Sequence, residues 1–266
     1  MSGMGWRSGR GSAVYVIRSP AAGVRALFAF SLLLCGCAQN TVQPSASGPE
    51  FFRITPVRPV TELLREAEAA TPPFEEGEFR ATDLVELTAL EPGIRRDIRY
   101  AGSNNFLSTP IYRQARAFLQ RPAAEAVVRA HRDLAQHGFG VLIHDAYRPW
   151  YVTKLFWDAT PVDKHDFVAD PAQGSRHNRG CAVDLTLYEL ATGKVVEMPG
   201  LYDEMSERSY PDYSGGTTRQ RKLRDLLRTA MEAQGFSVYA SEWWHFDFRD
   251  WPNYRIGNER FEELAD

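Results

Sequence analysis

Ser175-Arg176-His177-Asn178-Arg179-Gly180-Cys181-Ala182-Val183-Asp184-Leu185-Thr186-Leu187 reads as a loop that turns into a strand. Cys181 to Leu187 is rich in apolar and β-branched residues, and Gly180 supplies the entry turn. Alternation along that strand puts Ala182, Asp184 and Thr186 on one face and Cys181, Val183 and Leu185 on the other. Small Ala182 leaves room beside Asp184, and a turn at Gly180 folds the His177 imidazole back towards the same point. A histidine and a carboxylate that converge in this way are two members of a three-ligand zinc site.

The third ligand is expected further along the chain. Phe236 to Tyr239 and His245 to Phe248 read as neighbouring strands, with Ser241 to Trp244 joining them, so that Glu242 and His245 point into one pocket. Zinc held by two imidazoles and one carboxylate keeps a position for water and lowers that water's pKa to about 7. Glu242 then fits the general base, near the water without occupying the ion. Trp243 and Trp244 are expected to shield the space from solvent. Each motif alone is more often a hydrogen-bonded structural histidine or a turn-capping aspartate; their joint occurrence favours the metal.

A third element is Gly140-Val141-Leu142-Ile143-His144-Asp145-Ala146-Tyr147-Arg148-Pro149, a buried strand running into a helix whose first turn suits Pro149. Arg148 lies at that junction, within reach of a developing oxyanion or, alternatively, of a surface ion-pair partner. Helices are expected from Pro122 to His137, stopped by Gly138, and from about Thr218 to Gln234, stopped by Gly235. His131 and His137 are then helix residues, and His165 lies in a surface loop. The pattern predicts an α+β domain with a small, largely antiparallel sheet flanked by helices.

The Ser-x-His-x-x-Gly-x-Ala-x-Asp, Tyr-Arg-Pro and Glu-Trp-Trp-His patterns resemble the D-alanyl-D-alanine dipeptidases of the VanX type. These belong to the zinc D,D-peptidases, which share a fold with the Hedgehog signalling domain. The resemblance covers about Asp83 to Asp250. Ile98 to Phe106 is similar to the segment preceding the core in that family, and Tyr202 to Ser209 is similar to its Phe-Asp...Ser-Glu-Arg-Ser stretch, which favours dipeptidases over the wider group. The resemblance implies one Zn2+ held by His177, Asp184 and His245, Glu242 as general base and acid, and Arg148 on the tetrahedral intermediate. It also implies Ser175 and Glu197 near the substrate's amino terminus, although Glu197 stands where the family carries Asp. The implied substrate is the small dipeptide D-Ala-D-Ala. A D,D- or L,D-carboxypeptidase acting on peptidoglycan peptides, or a non-catalytic zinc module, would use the same ligands; the presence of both Glu242 and Arg148 argues against the latter.

The 266 residues are 44% hydrophobic and 24% charged, an ordinary globular composition with a net charge of −3. Basic residues from Arg219 to Arg224 read as a solvated helix face, and no nucleic-acid partner is expected. At the N-terminus, Arg7, Arg10, Arg18 and Arg25 precede an apolar run from Ala26 to Leu34 that is too short to span a bilayer. Leu34-Cys35-Gly36-Cys37 resembles a bacterial lipobox with Cys37 acylated; an ordinary secretory cleavage site is the alternative. The expected organisation is a signal peptide over 1–36, a flexible tether over 37–73 and a catalytic domain over 74–266, anchored to the membrane on the periplasmic side. A short helix at Thr61 to Ala70, with Thr61 as its cap, is the one element expected in the tether. Cys181 remains as a buried small hydrophobe.

Overall fold

The computed structural model of the chain describes residues 51–264. The expected leader and the lipidation site Cys37 lie outside the described residues. From residue 51 onward the expected tether gives way to packed structure. Ile54 N–H donates to Phe106 O at 2.9 Å and Val57 N–H to Ala159 O at 3.0 Å. Helix α1, Val60–Ala69, buries Val60, Leu63 and Ala67, spaced at three and four residues. Full burial of a side chain such as Leu63 contributes about 2 kcal/mol, enough to hold this short helix to the domain. Thr61 does not cap it, because the helix starts one residue earlier, at Val60, with Pro59 preceding it.

Strand β1, Leu84–Glu86, leads into the single turn α2, Leu87–Leu90, then β2, Arg95–Arg96, and β3, Phe118–Gln120. Helix α3, Arg121–Ala135, carries Pro122 in its first turn, where a missing N–H costs nothing. Its buried face includes Ala123, Val127, His131 and Leu134. Strand β4 spans Phe139–Asp145, helix α4 Trp150–Ala159 and strand β5 Ala182–Glu189. Helix α5, Thr218–Ala233, opens with a capping box between Thr217 and Gln220. Strands β6, Phe236–Tyr239, and β7, Glu242–Phe248, complete the set.

The main sheet has the order β2-β4-β5-β7-β6, with β2 and β4 parallel and every other pair antiparallel. This is the expected largely antiparallel sheet. β1 and β3 form a separate two-stranded ribbon. Helices α3 and α5 pack against one another and against the sheet, while α1 packs on α4. His131 serves this packing: its Nδ1 accepts the Val141 N–H at 3.2 Å and ties α3 to β4.

Candidate active site

Strand register builds the first part of the site. Asp145 on β4 lies opposite Asp184 on β5, which lies opposite His245 on β7. Residues directly opposed across neighbouring strands share a face at Cβ separations of about 5 Å, so three functional groups stand in one row. Two bulges adjust their aim. One extra residue at His144 shifts the register before Asp145. On β7, Val238 pairs with Phe246 but Tyr239 pairs with Glu242, which inserts three residues. A flat strand would send Glu242 and His245 to opposite faces; the bulge brings both to one cavity. Glu242 to Trp244 therefore belong to β7 itself and not to a connecting turn. Trp244 lines the cavity, whereas Trp243 packs edge-on against it in the core.

His177 reaches the row from the loop before β5. Gly180 sits at φ +67°, and a Cβ there would meet Leu84 Cδ2 at 2.6 Å, so both turn and packing require glycine. Ser175 Oγ accepts the His177 N–H at 3.2 Å. Asn178 ties this loop to the Arg148 junction, donating from Nδ2 to Arg148 O and Thr153 Oγ1, both at 2.8 Å, while the Arg148 N–H donates to His177 O at 3.1 Å.

Three acceptor atoms converge. His177 Nε2 stands 3.3 Å from Asp184 Oδ1 and 3.1 Å from His245 Nδ1, and His245 Nδ1 stands 3.1 Å from the same Asp184 oxygen. The remaining atom of each group is engaged elsewhere. His177 Nδ1–H donates to Ala146 O at 2.7 Å, His245 Nε2–H to Asp247 Oδ1 at 2.9 Å, and Tyr202 OH donates to Asp184 Oδ2 at 2.9 Å. Those partners fix the tautomers so that both imidazole lone pairs face inward. Asp184 Oδ1 is buried without a hydrogen-bond donor. A buried acceptor facing two more acceptors is costly unless a cation sits among them. The acidic setting favours positive charge at this point: burial opposes charge on His245, yet the neighbouring Asp184 and Asp247 carboxylates outweigh it and raise its pKa well above the ordinary value. The three groups fit a divalent metal.

Around this cluster, Glu242 Oε2 lies 3.6 Å from His245 Nδ1. Burial, joined by the Asp184 carboxylate, pushes the Glu242 pKa up to about 7, against the attraction of His245 and Arg148. Arg148 is buried, and its Nε and Nη2 both reach Asp145 Oδ2 at 2.9 Å. Tyr112 OH occupies the other Asp145 oxygen at 2.9 Å. Arg148 Nη2 also faces Asp184 Oδ2 at 3.8 Å. The junction residue is thus held in a buried pair, not a surface one.

A family model described as D-ala-D-ala dipeptidase matches residues 80–264. The chain belongs to the D-Ala-D-Ala dipeptidase family. Relatives called D-alanyl-D-alanine dipeptidase include one from Escherichia coli K12, 33% identical over 180 residues that make up 68% of this chain and 92% of the relative. Another, from Enterococcus faecium, is 35% identical over 178 residues, 60% of this chain and 88% of that protein. A third, from Streptomyces coelicolor, is 33% identical over 189 residues, 64% and 94% respectively. The dipeptidase family is one of metal-dependent peptidases, in keeping with the His-Asp-His cluster.

Within this dipeptidase-family fold, His177, Asp184, His245, Glu242, Arg148 and Ser175 all line one cavity. Glu197 does not. Val196 and Met198 are buried, so the alternation after the Tyr188 to Val195 bridge turns Glu197 outward, into a separate shallow cleft with Lys194 and Arg219. Carboxylates that do line the cavity, besides Asp184 and Glu242, are Asp166, Asp203 and Glu204, and of these Asp203, unassigned by the sequence reading, is tied to the cluster through tyrosines. It sits at φ +58°, a conformation aspartate tolerates better than most residues. Tyr100 OH donates to its two oxygens at 3.0 and 3.1 Å. Burial, followed by the nearby Asp184 charge, raises its pKa well above the usual carboxylate range. Asp247 and Asn178 also escaped the sequence reading. Asp247 was signalled by His-x-Asp on a strand, which places both side chains on one face.

Proposed function

We propose that this chain is a zinc-dependent dipeptidase that hydrolyses D-Ala-D-Ala. His177, Asp184 and His245 would hold the ion. The observation that carries the proposal is the unpartnered, buried Asp184 Oδ1 facing two inward imidazole nitrogens, with Glu242 beside them. Zinc bound there supplies a Lewis acid for the scissile carbonyl and a water of lowered pKa.

Glu242 takes the proton of the attacking water and passes it to the leaving amine. A carboxyl group whose pKa stands at about 7 is poised for both transfers near neutral pH. Arg148 donates N–H groups to the oxyanion that develops on the carbonyl. Its guanidinium is held from behind by Asp145, so it needs no rearrangement as charge builds. Asp203 receives the substrate ammonium at the cavity's other wall, a half-buried carboxylate that a cation restores to its charged form. Ser175 Oγ, which accepts from His177 N–H, retains its own hydrogen to donate to the substrate. On sequence grounds the enzyme is read as a lipoprotein acylated at Cys37, held at the membrane on the periplasmic side and acting on wall-derived peptides.

The test pairs metal analysis with steady-state hydrolysis of D-Ala-D-Ala and of a pentapeptide ending in D-Ala-D-Ala. One zinc per chain and preference for the free dipeptide are expected. Glu242→Gln should keep the zinc and lose about 10³-fold in kcat. Near-normal turnover in that variant would remove Glu242 from the mechanism, and preference for the pentapeptide would make the protein a carboxypeptidase.

A further inference from the structure

The cavity has two ends of unequal chemistry. Asp203 reaches the ligand cluster from the Asp184 side, through Tyr100 and Tyr202: Tyr100 OH donates to Asp203 at 3.0 Å and lies 3.3 Å from Tyr202 OH, whose hydrogen goes to Asp184 Oδ2 at 2.9 Å. Arg176 reaches it from the His245 side, through Asp247: its Nε lies 3.5 Å from Asp247 Oδ2, and Asp247 Oδ1 holds His245 Nε2. Both Asp203 and Arg176 line the cavity, and among the described residues the only other Arg or Lys lining it is Arg148.

The two arginines differ in commitment. Arg148 is buried and doubly bonded to Asp145. Arg176 keeps 40% of its side chain exposed, and its one ion pair, at 3.5 Å, is long for a hydrogen bond. Its guanidinium carbon stands 4.9 Å from the Trp251 ring centroid and 5.9 Å from that of Tyr239, which restrict its swing without consuming its N–H donors. A planar five-donor group, steadied by aromatic rings at the rim of a largely acidic cavity, is suited to bind a carboxylate in two-pronged fashion.

We propose that Arg176 is a specificity-determining residue that binds the C-terminal carboxylate of the substrate, opposite the ammonium held by Asp203. This rests on the dipeptidase reading above. A free dipeptide is a zwitterion whose two residues span about 7 Å when extended, so a cavity negative at one end and positive at the other selects it over longer or capped peptides. Binding of the carboxylate to Arg176 also leaves Asp247 to His245 alone.

The experiment compares D-Ala-D-Ala with D-Ala-D-Ala amide, in which the carboxylate is neutralised, on the zinc-loaded full chain. The wild type should favour the acid in kcat/KM by about 30-fold, the worth of one charge-assisted contact. Arg176→Gln should collapse that preference to near unity, mainly through KM for the acid, with zinc content unchanged; Arg176→Lys should restore part of it. If Arg176→Gln slows acid and amide equally, or changes neither, the carboxylate contact is overturned and the dipeptidase reading stands. A wild type that hydrolyses neither compound would overturn both.

Discussion

The wall that gathers the candidate metal ligands and the wall that carries Asp203 are built on opposite terms. On the ligand wall, Asp184 and His245 sit at paired positions of adjacent strands, and each ligand's outward atom has its own partner in Ala146 O, Asp247 or Tyr202. What is unsatisfied there is a single inward point. On the Asp203 wall, the carboxylate occupies a left-handed turn residue, its donor is one tyrosine, and burial already pushes it towards the neutral form. On the proposed reading, one wall is preorganised for a cation that stays, the other for a cation that comes and goes. A residue holding a resident ion can be fixed at several points, whereas a residue receiving a substrate must keep some of its capacity free.

That contrast is sharpened first at Asp203. Asp203→Asn keeps the size and the Tyr100 contact but removes the charge. It should lower kcat/KM for D-Ala-D-Ala about 100-fold while zinc content stays at the wild-type level. N-acetyl-D-Ala-D-Ala, which has no ammonium, should be hydrolysed equally poorly by both proteins; a variant that discriminates against it as the wild type does would break the assignment. On the other wall, Asp247→Asn should weaken zinc binding about 30-fold, within the range expected when the outer partner of a ligating histidine is lost. Competition with a chelator measures it. Unchanged zinc affinity would mean that strand register alone aims His245.

The ligand wall was the readable one. Metal sites draw on few residue types, and strand alternation fixes which side chains share a face, so a convergence of His177, Asp184 and His245 could be expected from the sequence, and the structure brings the three together. The connection around Glu242 was less so, because a three-residue bulge has no period in the sequence. It leaves Glu242 to Trp244 inside β7 where a turn was expected. Glu197 failed for a related reason: its charge suited a substrate ammonium, but the burial of Val196 and Met198 decides which way it faces. Asp203 gave only a family-like setting between Tyr202 and Ser209; its place in the cavity depends on a left-handed turn that aspartate adopts without announcing it. Residues 51–73 have a loose composition, yet α1 lodges Leu63 against the domain, a packing fact invisible without α4.

His144 probes how far the Asp203 wall depends on buried neutral groups. It is the bulge residue of β4, and its ring lies 4.7 Å from that of Tyr202, the residue that bonds Asp184. Arg99 Nε donates to its Nδ1 at 3.2 Å, with the Asp97 carboxylate at 3.8 Å. Burial, then the Arg99 charge, lowers its pKa to about 4 despite Asp97. Between that value and the unfolded value near 6.5 the unfolded chain binds the proton and the folded chain does not. Stability is therefore full above about pH 6.5 and falls as the pH drops towards 4. At pH 5 the loss attributable to His144 is on the order of 2 kcal/mol. Other groups titrate in the same range, so the informative quantity is the difference between wild type and His144→Gln, measured by urea unfolding at pH 8 and pH 5. The variant should lose less stability than the wild type over that interval, by about 1 to 2 kcal/mol. Equal losses would show that the ring is protonated in the folded protein, with Asp97 turned in to hold the charge, and that the wall behind Tyr202 admits a cation of its own.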